Sequence, residues 1–411
     1  MASEWIETTI GDQLTLQRGF DITKAQQNLG NIPVISSGGV ASYHDVAMVE
    51  GPGVVLGRKG TVGTVFFIEN DYWPHDTTLW VKDFKNNDRR FVYYFFVSFA
   101  KHLASLDVGS ANPTLNRNHI HPIPVRWPPK EEQYEIAKAL AMLDDKIELN
   151  RRMNATLEAM AQALFKSWFV DFDPVKAKAE GRAPEGMDAE TAALFPSEFQ
   201  DSELGQIPKG WRCLSLDEAF EINPSRKLAK GAEASYLDMA NVTTQGHRPT
   251  GWIKRAFSSG TKFINGDTLL ARITPCLENG KTAFVDFLPN DETGWGSTEF
   301  IVMRPKPPLP EYFAYLLCRE SDFRSFAIQS MTGTSGRQRV QVDSLGKYPL
   351  AVPVDMIANR FGAIIAPLVM KISRNSEEAR SLAVIRDALL PKLISGQLRI
   401  PEAEEVAAAA M

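Results

Sequence analysis

The alternation of apolar and polar positions along the chain follows one plan twice. Short alternating runs, each bounded by Gly, Asn or Asp, predict strands at Pro33–Ser36, Gly53–Gly57, Thr64–Ile68 and Thr78–Val81. Arg90–Leu106 is apolar and aromatic at helical spacing and predicts a core helix, with a counterpart at Glu311–Ile328. From Ile136 the apolar positions step by four and three through Leu140, Leu143, Ile147, Asn150, Asn154, Leu157, Ala161, Leu164 and Trp168. Moved along by 225 residues, the same seam reads Phe361, Ile365, Leu368, Ile372, Asn375, Ala379, Leu382, Arg386, Leu389 and Leu393. A heptad kept over more than four repeats predicts two long helices packed on each other, antiparallel, with Asn150 and Asn375 as polar seam residues that fix register near a pseudo-dyad. About 39 residues at ~1.5 Å each would make a rod of roughly 58 Å. Pro367 and Pro391 are expected to kink or interrupt the second helix.

The repetition extends to the loops. Trp5–Ile10 corresponds to Trp211–Leu216, GVVLGRKG at Gly53–Gly60 to DTLLARIT at Asp267–Thr274, VGSANPTLNR at Val108–Arg117 to TGTSGRQRV at Thr332–Val340, and the Pro-flanked segment Ile123–Gln133 to Tyr348–Met356. A duplicated unit suits a partner with two related ends, such as duplex DNA with a split target. The expected fold is α+β: two tandem pseudo-symmetric mixed α/β domains at 1–130 and 206–355, each followed by a long helix, at 131–170 and 356–400, the two helices packed as an antiparallel coiled coil. An acidic linker over 171–205 and a frayed tail over 401–411 complete the division.

The net charge of −5 argues against a strong non-specific nucleic-acid binder. Its distribution matters more, because 171–205 alone holds nine acids against three bases and leaves the rest close to neutral. Cys213, Cys276 and Cys318 form no CxxC pair, which fits buried thiols in a reducing cytoplasm. No apolar run reaches the ~18–20 residues of a membrane span, and MASEWIETT is too polar for a signal peptide, so a cytoplasmic protein without a membrane partner is expected.

Enzyme signatures are absent: no phosphate loop, no GxGxxG after a strand, no HExxH and no GxSxG. His119 and His121 form an HxH with no third ligand at a convincing spacing, so no metal site is expected. Asn112-Pro113-Thr114 lacks the second Pro and the aromatic of the amino-methyltransferase motif and reads as a turn. Candidate DNA contacts are the places where Gly, cations and amides occur together, since Gly admits the backbone to phosphate and Arg can fork onto guanine. They are Arg58, Lys59, Asn116, Arg117, Asn118, Arg272, Lys281, Arg337, Gln338 and Arg339, with Arg58 matched to Arg272 and Arg117 to Arg339. Met153, Met160, Phe165 and Phe169, outside the helix seam, are candidates either for a docking surface or for packing against the chain's own domains.

On these residues the chain resembles the specificity subunit of a type I restriction–modification system. The most specific stretch is IPVRWPPKEEQYEIAKALAMLDDKIELN (Ile123–Asn150), with WFVDFDPV (Trp168–Val175) and LLPKLISGQLRI (Leu389–Ile400) in support. The second copy has VDMIANRF in place of the Glu-Gln signature and matches by position. The resemblance implies a non-catalytic chain. Each domain would read one half of a bipartite, asymmetric target in double-stranded DNA, and the helix pair would act as a ruler for the spacer. Two methylation subunits would bring S-adenosylmethionine and the adenine-modifying site, and two restriction subunits ATP- and Mg-dependent translocation and cleavage, with no cofactor in this chain. Other readings are a stand-alone bipartite DNA-binding protein and a duplicated protein-binding scaffold.

Overall fold

In the computed structural model, residues 5–105, 114–289, 292–334 and 336–402 are described. The chain divides into two compact units, Met1–Glu148 with Ala379–Met411, and Leu149–Glu378. Each holds one mixed module together with a stretch of both long helices.

In the first unit, strands Thr15–Arg18, Thr78–Asp83, Gly53–Gly57 and Val65–Ile68 form an antiparallel sheet in that order. Every residue of Gly53–Gly57 is buried, as a strand covered on both faces requires. Helix Arg89–Ser105 lays Phe91, Val92, Phe95 and Phe96 into a core shared with Val54, Leu56, Leu79 and Val81. A smaller sheet takes the order Gly39–His44, Ile32–Ser36, Trp73–Pro74, its last pair parallel. The two ends of the module meet: Ile6–Thr9 pairs antiparallel with Pro124–Trp127 immediately before the first long helix, Lys130–Phe169.

The second unit repeats this topology strand for strand. Phe220–Ile222, Phe300–Pro305, Thr268–Ala271 and Thr282–Phe284 make the main sheet. Ile253–Ala256, Glu233–Leu237 and Gly294–Gly296 make the smaller one, again with one parallel pair, extended by an added strand, Thr261–Phe263. Arg212–Ser215 pairs with Pro349–Val352 before the second long helix, Asp355–Ile394. Even the first turn recurs: Thr9 with Asp12 and Ser215 with Glu218 form capping boxes at matched helical turns. The helix expected over Glu311–Ile328 is two, Tyr312–Arg319 and Ser321–Gln329. The break falls at Glu320, whose backbone is extended and whose buried side chain accepts a hydrogen bond from Gln162.

The helix seam is antiparallel in both units, since partner numbers fall along one helix as they rise along the other. In the first unit Ile136, Leu140, Leu143 and Ile147 share a core with Leu382, Leu389 and Leu393, and Arg386 donates to Asp144 at 2.6 Å. In the second, Phe165, Trp168 and Phe169 meet Phe361, with ring centroids 4.7–6.3 Å apart. Asn150 and Asn375 are both buried in the seam, but they are not bonded to each other. Asn150 donates to Glu378 at 3.0 Å, and Asn375 to Asn154 at 2.9 Å. Equivalent positions of an antiparallel pair need not face one another, and here Asn150 meets Glu378, three residues past Asn375, while Asn375 meets Asn154, four past Asn150.

Three further expectations change. The second long helix runs through Pro367 and Pro391 without interruption; both prolines are exposed, so the buried seam is kept while the lost backbone donors fall on the outer face. This is also the one described helix long and apolar enough to cross a membrane by length and composition, but its apolar seam packs on this chain and contains Asn375. The acidic segment 171–205 is folded rather than a free linker. Asp173–Ala179, Ala189–Leu194 and Phe199–Ser202 are regular elements, and Val175 and Phe195 join the second unit's core. Lys178 secures it by donating to the carbonyls of Ala192 and Phe195. Finally, of the two readings open for Phe165 and Phe169, packing within the chain holds: both are buried against Phe313 and Phe361.

Candidate nucleic-acid interface

In each module the central strand of the main sheet ends at an arginine, and that arginine's backbone is held from two sides. Arg58 N–H donates to Thr77 C=O at 2.9 Å, and Arg58 C=O accepts from Leu115 N–H at 2.9 Å. Arg272 repeats both bonds, with Glu299 C=O at 2.9 Å and Val340 N–H at 2.8 Å. Bridges between Lys59 and Thr114, and between Ile273 and Arg339, continue the crossing. The Gly/Arg turn and the end of the Gly-rich segment are thus brought together in both copies by the same backbone pattern. Val108–Pro113, the first part of that segment in the first copy, lies outside the described residues together with Asn112-Pro113.

This pattern corrects one pairing. Leu115 matches Val340, so Arg117 corresponds to Val342 and Arg339 to Thr114. Arg117 opens the short helix Arg117–Ile120, and Val342 opens Val342–Leu345. Asn116 is the N-cap of the first of these, its Oδ1 accepting from Asn118 N–H at 3.0 Å.

The ten candidates fall into two groups. Six have side chains engaged within the module. Arg339 forks onto Glu299 at 2.7–3.0 Å, a contact that raises its pKa further. Arg272 donates to Val340 C=O at 2.9 Å and Lys281 to Met239 C=O at 2.8 Å. Arg58 and Arg117 make long contacts of 3.4 Å to the carbonyls of Asp76 and Leu16, and Asn116 is the cap just described. The other four, Lys59, Asn118, Arg337 and Gln338, have no side-chain hydrogen bond or ion pair among the described residues. Gly60 at φ +87° and Gly336 at φ +77° turn the chain beside Lys59 and Arg337, a conformation that costs Gly little.

Arg18 was not singled out from sequence. It pairs with Asp76 at 2.6 Å, the residue whose carbonyl Arg58 also reaches. Burial first, and then the Arg18 charge, lower the Arg58 pKa against the opposing Asp76. Two guanidinium groups, Arg18 and Arg58, and two carboxylates, Asp76 and Asp21, meet at this corner. Asp21, His75 and Asp76 bring one ligand atom each within 4.8 Å, but Arg18 already occupies Asp76. His119 and His121 do not act together: His121 Nε2 accepts from Leu16 N–H at 3.0 Å, and burial, then Arg117 and Lys85, lower its pKa toward the neutral form such an acceptor needs.

The PPKEEQ signature has a structural role. Gln133, buried, donates to Asn87 Oδ1 at 2.8 Å and Pro128 C=O at 2.9 Å and accepts from Asp88 N–H. Glu132 accepts from Trp5 Nε1 at 2.9 Å and from Arg399. These bonds seat the start of the long helix on the module. At the matched positions of the second copy, buried Ile357 and Ala358 do so with apolar contacts.

The second module is tied to both helices through His247, which is buried. Its Nε2 lies 3.0 Å from Asp286 Oδ2 and its Nδ1 3.0 Å from Tyr312 Oη. An ionised carboxylate only accepts, so Nε2 carries the proton toward Asp286 and Nδ1 can accept from Tyr312. Asp286 also accepts from Arg248 and from Ser373 of the second helix, while the His247 backbone donates to Glu158 of the first. Burial raises the Asp286 pKa, but His247, Arg248 and Ser373 outweigh it and leave the carboxyl below its ordinary value.

Two modules of one topology, each with an arginine at the end of its central strand and each packed on its own unit's stretch of the antiparallel long helices, define a duplicated two-module chain. Residues 2–159 match the family described as the type I restriction modification DNA specificity domain. The chain is 26% identical over 331 residues to the type I restriction enzyme MjaIX specificity subunit of Methanocaldococcus jannaschii, covering 76% of this chain and 69% of that protein. It is 25% identical to the HindI specificity subunit of Haemophilus influenzae, covering 96% of this chain and 100% of that one. The crystal structure of a type I restriction–modification S subunit from M. genitalium has the same fold, with a TM-score of 0.59 at 17% identity over 95% of this chain and 96% of that one. Over residues 2–159 the chain matches that specificity domain, and along most of its length it is similar to type I restriction enzyme specificity subunits.

Proposed function

We propose that this chain reads a bipartite, asymmetric sequence in double-stranded DNA, one half with each module, as the specificity subunit of a type I restriction–modification complex. The observation that carries the reading is the repeated crossing at Arg58 and Arg272, which sets equivalent cationic turns in both copies. Of the residues around it, Lys59, Asn118, Arg337 and Gln338 are free to leave the protein surface. Arg and Lys supply phosphate attraction and guanine recognition, and Asn and Gln match adenine edges. The chain would supply no reaction of its own. Two methylation subunits would contribute S-adenosylmethionine and the adenine-modifying centre, and two restriction subunits would contribute ATP- and Mg-dependent cleavage. Exposed apolar side chains on the long helices, Met142 and Val384 in the first unit and Met160, Met356 and Met370 in the second, are suited to docking such subunits, since Met adapts to varied surfaces.

The test is to combine the chain with an adenine methyltransferase subunit encoded beside it and map the methylated adenines across a genome. Methylation at a single split motif, present only when this chain is supplied, is the expected result. An unchanged methylation map without the chain would remove the reading.

A further inference from the structure

The smaller sheet of the second module has two faces of opposite chemistry. Its register sets Tyr236 opposite Ile253 and Trp295, Trp295 opposite Lys262, and Ala234 opposite Arg255. Strand side chains alternate, so these six share one face, while Leu237 and Phe263 enter the core on the other. Glu233 alternates with the core-facing set as well.

The outer face is built from cations on aromatic rings. The Arg255 guanidinium carbon lies 4.8 Å from the Tyr236 ring centroid and 5.6 Å from that of Trp295. Lys262 Nζ lies 4.8 Å over Phe257, whose ring is 5.3 Å from Trp295. Lys227 and Lys230 are exposed in the loop that leads into Glu233–Leu237, and this loop is bonded to the same edge through Gly231 N–H and Phe257 C=O at 2.8 Å. Among the described residues, none of Arg255, Lys227, Lys230 and Lys262 makes an ion pair with a carboxylate. Lys254, on the core-facing side, is neutralised by Glu292 at 2.6 Å. Strand Gly294–Gly296 leads within three residues to Glu299, the partner of Arg339, so the face is continuous in the chain with the candidate interface.

A single cation over a ring is an ordinary surface feature. Two unneutralised cations on this face, one of them lying over two rings, and two more in the loop bonded to its edge, in a chain with net charge −5, are not explained by packing alone. Rings that hold a guanidinium in place reduce the entropy lost when it takes a phosphate. Resting on the function proposed above, we infer that this face is a second DNA contact of the module, gripping backbone phosphates of the duplex beside the half-site read by the Arg272–Arg339 loops.

Backbone contacts carry no sequence information, so a duplex of arbitrary sequence is a sufficient probe. Binding of that duplex to the full-length chain is measured by fluorescence anisotropy across a salt series. For each phosphate contact removed, the slope of log K against log salt becomes shallower by about 0.9. Arg255→Ala is expected to weaken binding by about 5- to 10-fold at low salt and flatten the slope by about that amount. Lys227→Ala/Lys230→Ala, in an exposed loop where folding is not at issue, is expected to flatten it by up to about 1.8. Lys209→Ala, which removes a cation already paired with Glu198, should change neither quantity. If the unaltered chain shows no salt-dependent duplex binding, the DNA-recognition reading itself fails. If it binds and both the Arg255 and the Lys227/Lys230 variants match it in affinity and slope, this inference alone is overturned. The same holds if those variants bind DNA normally but no longer co-purify with the methylation subunit, which would assign the face to a protein partner.

Discussion

Phe361→Ala is expected to destabilise the second unit by about 3–5 kcal/mol, the range for deleting a fully buried aromatic. Phe361 is inaccessible to solvent and sits where the first long helix, the second long helix and the module's own helix converge. Phe165, Trp168, Phe169 and Phe313 all have ring centroids within 6.4 Å of it. Four large rings around one vacancy cannot all relax into it, so the cavity term adds to the lost transfer energy. Chemical denaturation followed by tryptophan fluorescence would read the loss, because Trp168 and Trp211 belong to the same core. A change below about 1 kcal/mol would mean that Phe361 is not the junction of the seam and the module.

Arg337→Ala is expected to weaken recognition of one half of the target and leave the other unchanged. Arg337 is exposed and its side chain has no hydrogen bond or ion pair among the described residues, whereas its neighbour Arg339 is held by Glu299 and Arg272 by Val340 C=O. A bidentate contact to a base is worth about 1–3 kcal/mol of discrimination, or roughly 5- to 150-fold. The readout is binding to duplexes altered in one half-site at a time. Equal losses for both half-sites would show that Arg337 does not belong to a single reading module.

What the sequence revealed and what it hid divide along physical lines. The long helices were legible because a heptad seam recurs in every turn, and the central strand Gly53–Gly57 because a continuous apolar run ends in Gly and cations. The partners of Asn150 and Asn375 were not, since which residue faces which depends on the register of two segments more than 200 residues apart. The segment 171–205 misled through its acids, although Phe172, Val175, Phe195 and Phe199 within it were apolar enough to signal packing. Among the candidate contacts, Lys281 and Arg272 are engaged by backbone carbonyls, which every residue has and no side-chain pattern reports. The Arg255 face was missed for a related reason. Tyr236, Arg255 and Trp295 lie on three strands, and only the sheet register makes them neighbours.

Each module is expected to read one half of a split DNA target independently of the other. A module swap tests this: residues 206–352 are replaced with the corresponding module of a type I specificity subunit, and methylated adenines are mapped genome-wide in cells that also contain the methylation subunit. The predicted map keeps one half of the motif and changes the other. A map in which both halves change together, or neither does, would contradict it.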